Sequence, residues 1–177
     1  LFRSLAPLGW QDHTEWAYLS GKISTAGKLS FKYGYFEARL KMPAGTGTWP
    51  AFWLLGSSLR TGTNWPDCGE IDIAEYVGRD PGTVMGTLHG PNLFGADGPT
   101  ANGYATNLST GFHKYGLLWL PNKIVWTLDG KVYSTMTPSS SGFGSDWVFN
   151  QKFFLIMNLA MGGNLGGELD PGVTQAD

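Results

Sequence analysis

The chain has 177 residues, of which 15% are charged, and a net charge of −2 at pH 7. By length it is one domain, able to bury a sizeable core; with Lys and Arg scattered singly, no basic patch addresses nucleic acid or an anionic membrane. No apolar run approaches the roughly 20 residues of a membrane span, Leu1-Phe2-Arg3-Ser4 does not read as a signal peptide, and the single Cys68 excludes an internal disulfide.

With 26 glycines, 10 prolines and 14% aromatic residues, the composition predicts a turn-rich β protein. In chain order, residues 29–31, 34–41, 51–55, 70–76, 83–89, 113–119, 123–128, 131–136 and 152–160 read as strands. Phe36, Ala38, Leu40 and Met42 alternate onto one side. Asp129-Gly130 between alternating segments predicts a two-residue hairpin turn with positive φ at both positions. The run Phe153-Phe154-Leu155-Ile156-Met157 fits a strand buried on both faces, although a short buried helix has the same pattern. Between these lie loops at 43–47, 56–66, 90–110 and 137–146. No segment carries sustained helical periodicity with caps. Many short strands with Gly-rich turns predict an all-β sandwich or jelly roll.

The most informative stretch is Gly69-Glu70-Ile71-Asp72-Ile73-Ala74-Glu75-Tyr76. Period-two alternation puts Glu70 and Asp72 on one strand face and Ile71 and Ile73 on the other. Strict alternation would then put Ala74, not Glu75, beside the first two acids. One extra residue, a β-bulge, returns Glu75 to their face, and bulges are over-represented beside active sites. Retaining glycosidases hold two carboxyl groups about 5–5.5 Å apart. Here the Cα atoms of Glu70 and Glu75 are ~13 Å apart along the strand, so long side chains on a curving sheet must close the gap. Three acids this close cannot all ionise cheaply, and the proton they keep is a general acid. A solvated outer face and a Ca²⁺ or Mg²⁺ site are the competing readings of the same acids.

Of the eight tryptophans, Trp10, Trp16, Trp49, Trp53 and Trp65 fall ahead of the acids. Trp49, Trp53 and Trp65 are candidate platforms for stacking sugar rings, against the alternative that Trp fills the core. His89 ends the strand beside the acids, with binding, tuning of the acids or simple packing as its possible roles. His13 and His113 are isolated, and His113 reads as structural. Cys68 reads as a small packed residue, and Ser57 and Ser58 have no base near them in sequence.

At this point Glu70-Ile71-Asp72-Ile73-Ala74-Glu75 resembles the active-site signature of glycoside hydrolase family 16, in its bulged, laminarinase-like form. Ser20-Gly21-Lys22-Ile23, Phe31 to Arg39, Trp49-Pro50-Ala51-Phe52-Trp53-Leu54 and Trp65-Pro66 resemble blocks that precede this signature. Gly86 to Pro91, Phe112-His113 with Trp119, and Phe153 to Gly163 resemble blocks that follow it. The resemblance implies a jelly-roll β-sandwich with a concave cleft and retaining, internal hydrolysis of β-1,3- or mixed-linkage β-glucan. It implies Glu70 as nucleophile, Glu75 as general acid/base and Asp72 as assistant to the nucleophile. Trp49, Trp53 and Trp65 become sugar platforms, with Arg39 and His89 as hydrogen-bonding neighbours. No cofactor is expected. The family's structural calcium draws on residues near the chain ends, and no metal ligand is assigned here. Residues 1–177 are expected to form one glycoside hydrolase domain, a monomer, without the family's terminal strands. At Asn164-Leu165-Gly166-Gly167 the chain departs from laminarinase-like members, which often carry a tryptophan there. The implied partner is a polysaccharide, with no nucleic acid and no membrane, and a polymeric substrate implies an extracellular enzyme. The alternatives are a non-catalytic β-glucan-binding module, which typically lacks the glutamates, and a family member acting on agar, carrageenan or xyloglucan.

Overall fold

Alternating apolar and polar residues punctuated by glycine turns fold into two antiparallel sheets in the computed structural model, which describes Arg3, Ser4 and residues 20–173. In chain order the strands are β1 (Arg3–Ser4), β2 (Gly21–Ser24), β3 (Gly34–Leu40), β4 (Thr48–Gly56), β5 (Glu70–Glu75), β6 (Thr83–His89), β7 (Thr100–Tyr104), β8 (His113–Leu120), β9 (Lys123–Leu128), β10 (Lys131–Met136) and β11 (Phe153–Met161). One helical turn, α1 (Gly163–Gly166), follows β11. The larger sheet has the order β1-β2-β11-β4-β5-β6-β7 and the smaller β10-β9-β8-β3. Their facing side chains make the core. Phe52, Leu54, Ile71, Ile73, Val84 and Leu88 of the larger sheet meet Tyr115, Leu117, Trp119, Ile124, Trp126 and Leu128 of the smaller, all buried. The all-β jelly-roll sandwich expected from the sequence is the fold.

Several local expectations hold. Phe36, Ala38 and Leu40 pack onto the core from β3. Asp129 (φ 52°) and Gly130 (φ 77°) form the predicted two-residue turn between β9 and β10, with Leu128 paired to Lys131. Cys68 is fully buried. Strand β11 lies between β2 and β4 and is buried along Phe153–Ile156.

Two expectations do not hold. Residues 29–31 are not a strand: the Lys28 and Leu29 N–H groups both donate to the Thr25 carbonyl, which turns the chain. Only Phe31 makes a bridge there, to Phe153. Within the supposed loop 90–110, Thr100–Tyr104 forms β7, paired with β6 from Thr83↔Tyr104 to Thr87↔Thr100. Its Asn and Gly are poor strand formers, and edge placement, with only one ladder to satisfy, tolerates them.

Candidate active site

The bulge is present where the acids require it. Against β4, Trp53 pairs with Asp72 and Phe52 with Ala74, which leaves Ile73 as the extra residue. Against β6, Asp72 pairs with Thr87 and Glu75 with Met85, so two residues of β5 face Gly86 alone. Ile73 and Ala74 are both buried, and Glu70, Asp72 and Glu75 all line one cavity of about 420 Å³ on the outer face of the larger sheet.

The bulge is secured from beneath. A Cβ at Gly86 would lie 2.4 Å from the Trp126 ring, so only glycine lets that indole reach the underside of the larger sheet. Trp126 Nε1–H then donates to the Asp72 backbone carbonyl at 2.8 Å. A bulge disturbs the ladder, and the opposite sheet supplies a partner for a carbonyl at its start.

Each glutamate is held by a tryptophan. Trp65 Nε1–H donates to Glu70 Oε2 at 2.9 Å, and Trp49 Nε1–H donates to Glu75 Oε1 at 2.8 Å. Burial raises the proton affinity of all three acids. Glu70 is pushed up to about 8 by burial and by the Asp72 charge. Asp72, only 3% exposed, is pushed well above the usual carboxylate range by burial and then by Glu75. Glu75 is raised by burial against the opposing pull of the Trp49 hydrogen bond. At neutral pH the cluster therefore retains protons, as a general acid requires.

His89 completes the group. Its Nε2 lies 3.1 Å from Asp72 Oδ2 and 3.8 Å from Glu70 Oε1. The Gly95 backbone N–H donates to Nδ1 at 3.1 Å, so Nδ1 presents a lone pair and Nε2 carries the proton facing the acids. Glu70, Asp72 and His89 each place one ligand atom within 4.8 Å of the others, which makes them the trio with metal-ligand spacing among the described residues. That trio is the acid cluster itself, so a cation there would occupy the carboxylates that the chemistry needs.

The other predicted binding residues separate. Trp49 and Trp53 line the cavity with the acids. Trp53 Nε1–H donates to Asn158 Oδ1 at 2.7 Å, and Lys22 Nζ lies 5.4 Å from the Trp53 ring centroid, so one face of that ring is already taken. Trp65 is 42% exposed at the Glu70 end, with Phe94 edge-on at 5.5 Å. Arg39 is a correction: it lies on β3 in the other sheet, pairs with Lys114 and sits over the Phe112 ring at 4.3 Å. It shares the exposed face with Tyr35 and Glu37, opposite the core-facing Phe36 and Ala38, which keeps it away from the cleft. His113 is likewise distant, bonded through Nδ1 to Asp129 at the hairpin turn. Trp10, Trp16 and His13 lie outside the described residues.

The sequence reading assigned no role to Lys22, Asn158, Phe94 or Trp126. Asn158 breaks an otherwise apolar run, and that was its available signal. A further cavity of about 430 Å³, lined by Leu40, Met42, Phe52 and Met157 among others, contains no acid.

Comparison with known proteins gives the family and the fold. The family model described as glycosyl hydrolases family 16 matches residues 11–172. A beta-glucanase from Rhodothermus marinus is 40% identical over 164 residues, covering 87% of this chain and 57% of that protein. The structure of an endo-beta-1,3-glucanase from Pyrococcus furiosus superposes with a TM-score of 0.81 at 41% identity, covering 86% of this chain and 60% of that one. The laminarinase catalytic domain from Thermotoga maritima MSB8 gives a TM-score of 0.82 at 37% identity, covering 88% and 64%. The chain thus spans less than two thirds of the length of each.

Proposed function

This chain belongs to glycosyl hydrolase family 16, and we propose that it is a retaining endo-glycosidase cutting internal β-1,3 linkages in β-1,3- or mixed-linkage glucan. The observation that carries this reading is the bulge that turns Glu70, Asp72 and Glu75 into one cavity, with both glutamates oriented by indole N–H groups. Glucan-degrading relatives support the substrate class.

The proposed reaction has two steps. The reacting form is the one in which Asp72, the most deeply buried of the three acids, and Glu75 hold protons while Glu70, protonated in most molecules below about pH 8, has lost its own. Glu70 attacks the anomeric carbon as Glu75 gives its proton to the departing glycosidic oxygen, leaving a glycosyl ester on Glu70. Glu75, now ionised, takes a proton from water, and the hydroxide oxygen displaces Glu70 from the anomeric carbon. Two inversions return the starting configuration. Trp65 stabilises the Glu70 carboxylate each time it is released.

No helix among the described residues is long and apolar enough to cross a membrane. Because polymeric glucan does not enter cells, we place this activity outside the cell. Incubation with laminarin, lichenan, agarose and xyloglucan, with Glu70→Gln in parallel, tests the reading. It predicts reducing ends from laminarin or lichenan that vanish in the variant. Binding of laminarin without release by the unsubstituted chain would make it a recognition module, and release from agarose or xyloglucan alone would place its specificity elsewhere.

A further inference from the structure

On the β7 side of the acids, the same sheet face continues beyond the cavity. Registered pairs carry it strand by strand: Glu75 faces Met85, and Met85 faces Asn102. With strands ~4.8 Å apart, Asn102 is about 10 Å from Glu75 across the sheet, farther than one glucosyl unit. Two residues along β7, on the same face, stands Tyr104, paired with Thr83. Tyr104 is 72% exposed, the highest value among the exposed large hydrophobic side chains of the described residues, although its strand is regular and laddered. Asn102 Nδ2–H donates to the Tyr104 hydroxyl at 3.3 Å and tethers the ring from its own strand.

The platform beneath is firm. A Cβ at Gly103 would lie 3.0 Å from the Tyr133 ring, so glycine lets that ring press directly on the β7 backbone from the core side. An aromatic ring displayed on a braced edge strand, on the face that carries the acids and two residues beyond the level of Glu75, offers what a pyranose face requires: a flat apolar surface with polar groups at its rim.

We infer that Tyr104 and Asn102 form an outer glucosyl-binding subsite on the β7 side of the acids, engaged only by substrates long enough to reach it. The inference rests on the glucan-hydrolase reading above and deepens it. The subsite holds a sugar remote from the cleaved bond, so it favours long chains over short ones.

The test measures binding of β-1,3-linked glucose trimer and hexamer by calorimetry in a Glu70→Gln background, so that substrate is not consumed. The gain in affinity from trimer to hexamer is expected to fall about three- to tenfold with Tyr104→Ala, and to be kept with Tyr104→Phe, which preserves the ring. Tyr35→Ala removes an exposed tyrosine on the other sheet and is expected to change nothing. Hexamer binding by Tyr104→Ala equal to that of its parent overturns the subsite. A chain that neither cuts nor binds either oligomer overturns instead the reading on which the subsite rests, and the unsubstituted protein reveals that outcome by itself.

Discussion

Trp126 and Asp72 belong to opposite sheets, yet the indole nitrogen of one donates to the backbone carbonyl of the other at 2.8 Å. The side of the sandwich that never meets the cleft thus fixes the peptide from which the acids are aimed. Trp126→Phe keeps most of the buried volume and removes the donor. The orphaned carbonyl is expected to cost about 1–3 kcal/mol in denaturant unfolding, and the loosened bulge to lower kcat by at least about tenfold. An unfolding loss with unchanged kcat would mean that the bulge holds its shape without this bond.

Glu70 makes the folded chain carry a function-related cost in stability. Folded, it keeps its proton up to about pH 8; unfolded, it loses it near its ordinary value of 4.5. The folded state therefore binds the extra proton between these values, and stability falls as pH rises through that window. The contribution is full below about pH 4.5 and is lost as pH rises through about 8. Glu70→Gln, which cannot ionise, is expected to melt above the parent at pH 8 and to lose that advantage near pH 4.5. Thermal melts at the two pH values check this, and an equal difference at both would contradict it.

The two indole hydrogen bonds act on opposite limbs of the pH–rate profile. Trp65 favours ionised Glu70, and Trp49 favours ionised Glu75. Without Trp65 the nucleophile holds its proton to higher pH, so Trp65→Phe moves the ascending limb of kcat/KM upward. Trp49→Phe moves the descending limb upward, because the acid keeps its proton longer. Each shift is expected to reach up to about one pH unit, smaller for the more exposed Trp65. Profiles that moved the same limb in both variants would reverse or collapse the assignment of roles.

Much of this site is legible in the sequence because period-two alternation leaves little freedom once a bulge is admitted. Glu70, Asp72 and Glu75 can share a face only with one surplus residue, and Ile73 is that residue. The Asp129-Gly130 turn is equally local. Arg39 was misplaced because its expectation rested on a resemblance between sequence blocks, which does not say to which sheet β3 belongs; pairing with β8 puts it in the other sheet. Strand β7 was missed because Thr-Ala-Asn-Gly-Tyr has few β-formers and takes its order from pairing with β6. The Trp126 bond spans 54 residues and two sheets, beyond any local pattern.

Arg79 extends the positioning of Glu75. Its guanidinium donates to the carbonyls of Leu165 and Gly166, and this turn packs against Trp49, whose ring a Cβ at Gly163 would meet at 3.4 Å. Arg79→Ala is expected to lower kcat several-fold through a displaced Trp49. Arg79→Lys is expected to restore part of the loss, since both bonds leave the single nitrogen Nη1 and an ammonium can donate to two carbonyls. Full activity in the alanine variant would show that Trp49 needs no such support.

The account turns on distinct roles for Glu70 and Glu75, and azide rescue with an activated aryl β-glucan oligosaccharide separates them. In Glu75→Ala, azide replaces water at the glycosyl ester, and the product predicted is the β-glycosyl azide. In Glu70→Ala, azide attacks in place of the missing nucleophile, and the product predicted is the α-glycosyl azide, both identified by NMR. The opposite pair of configurations, or the same configuration from both variants, would contradict the assignment.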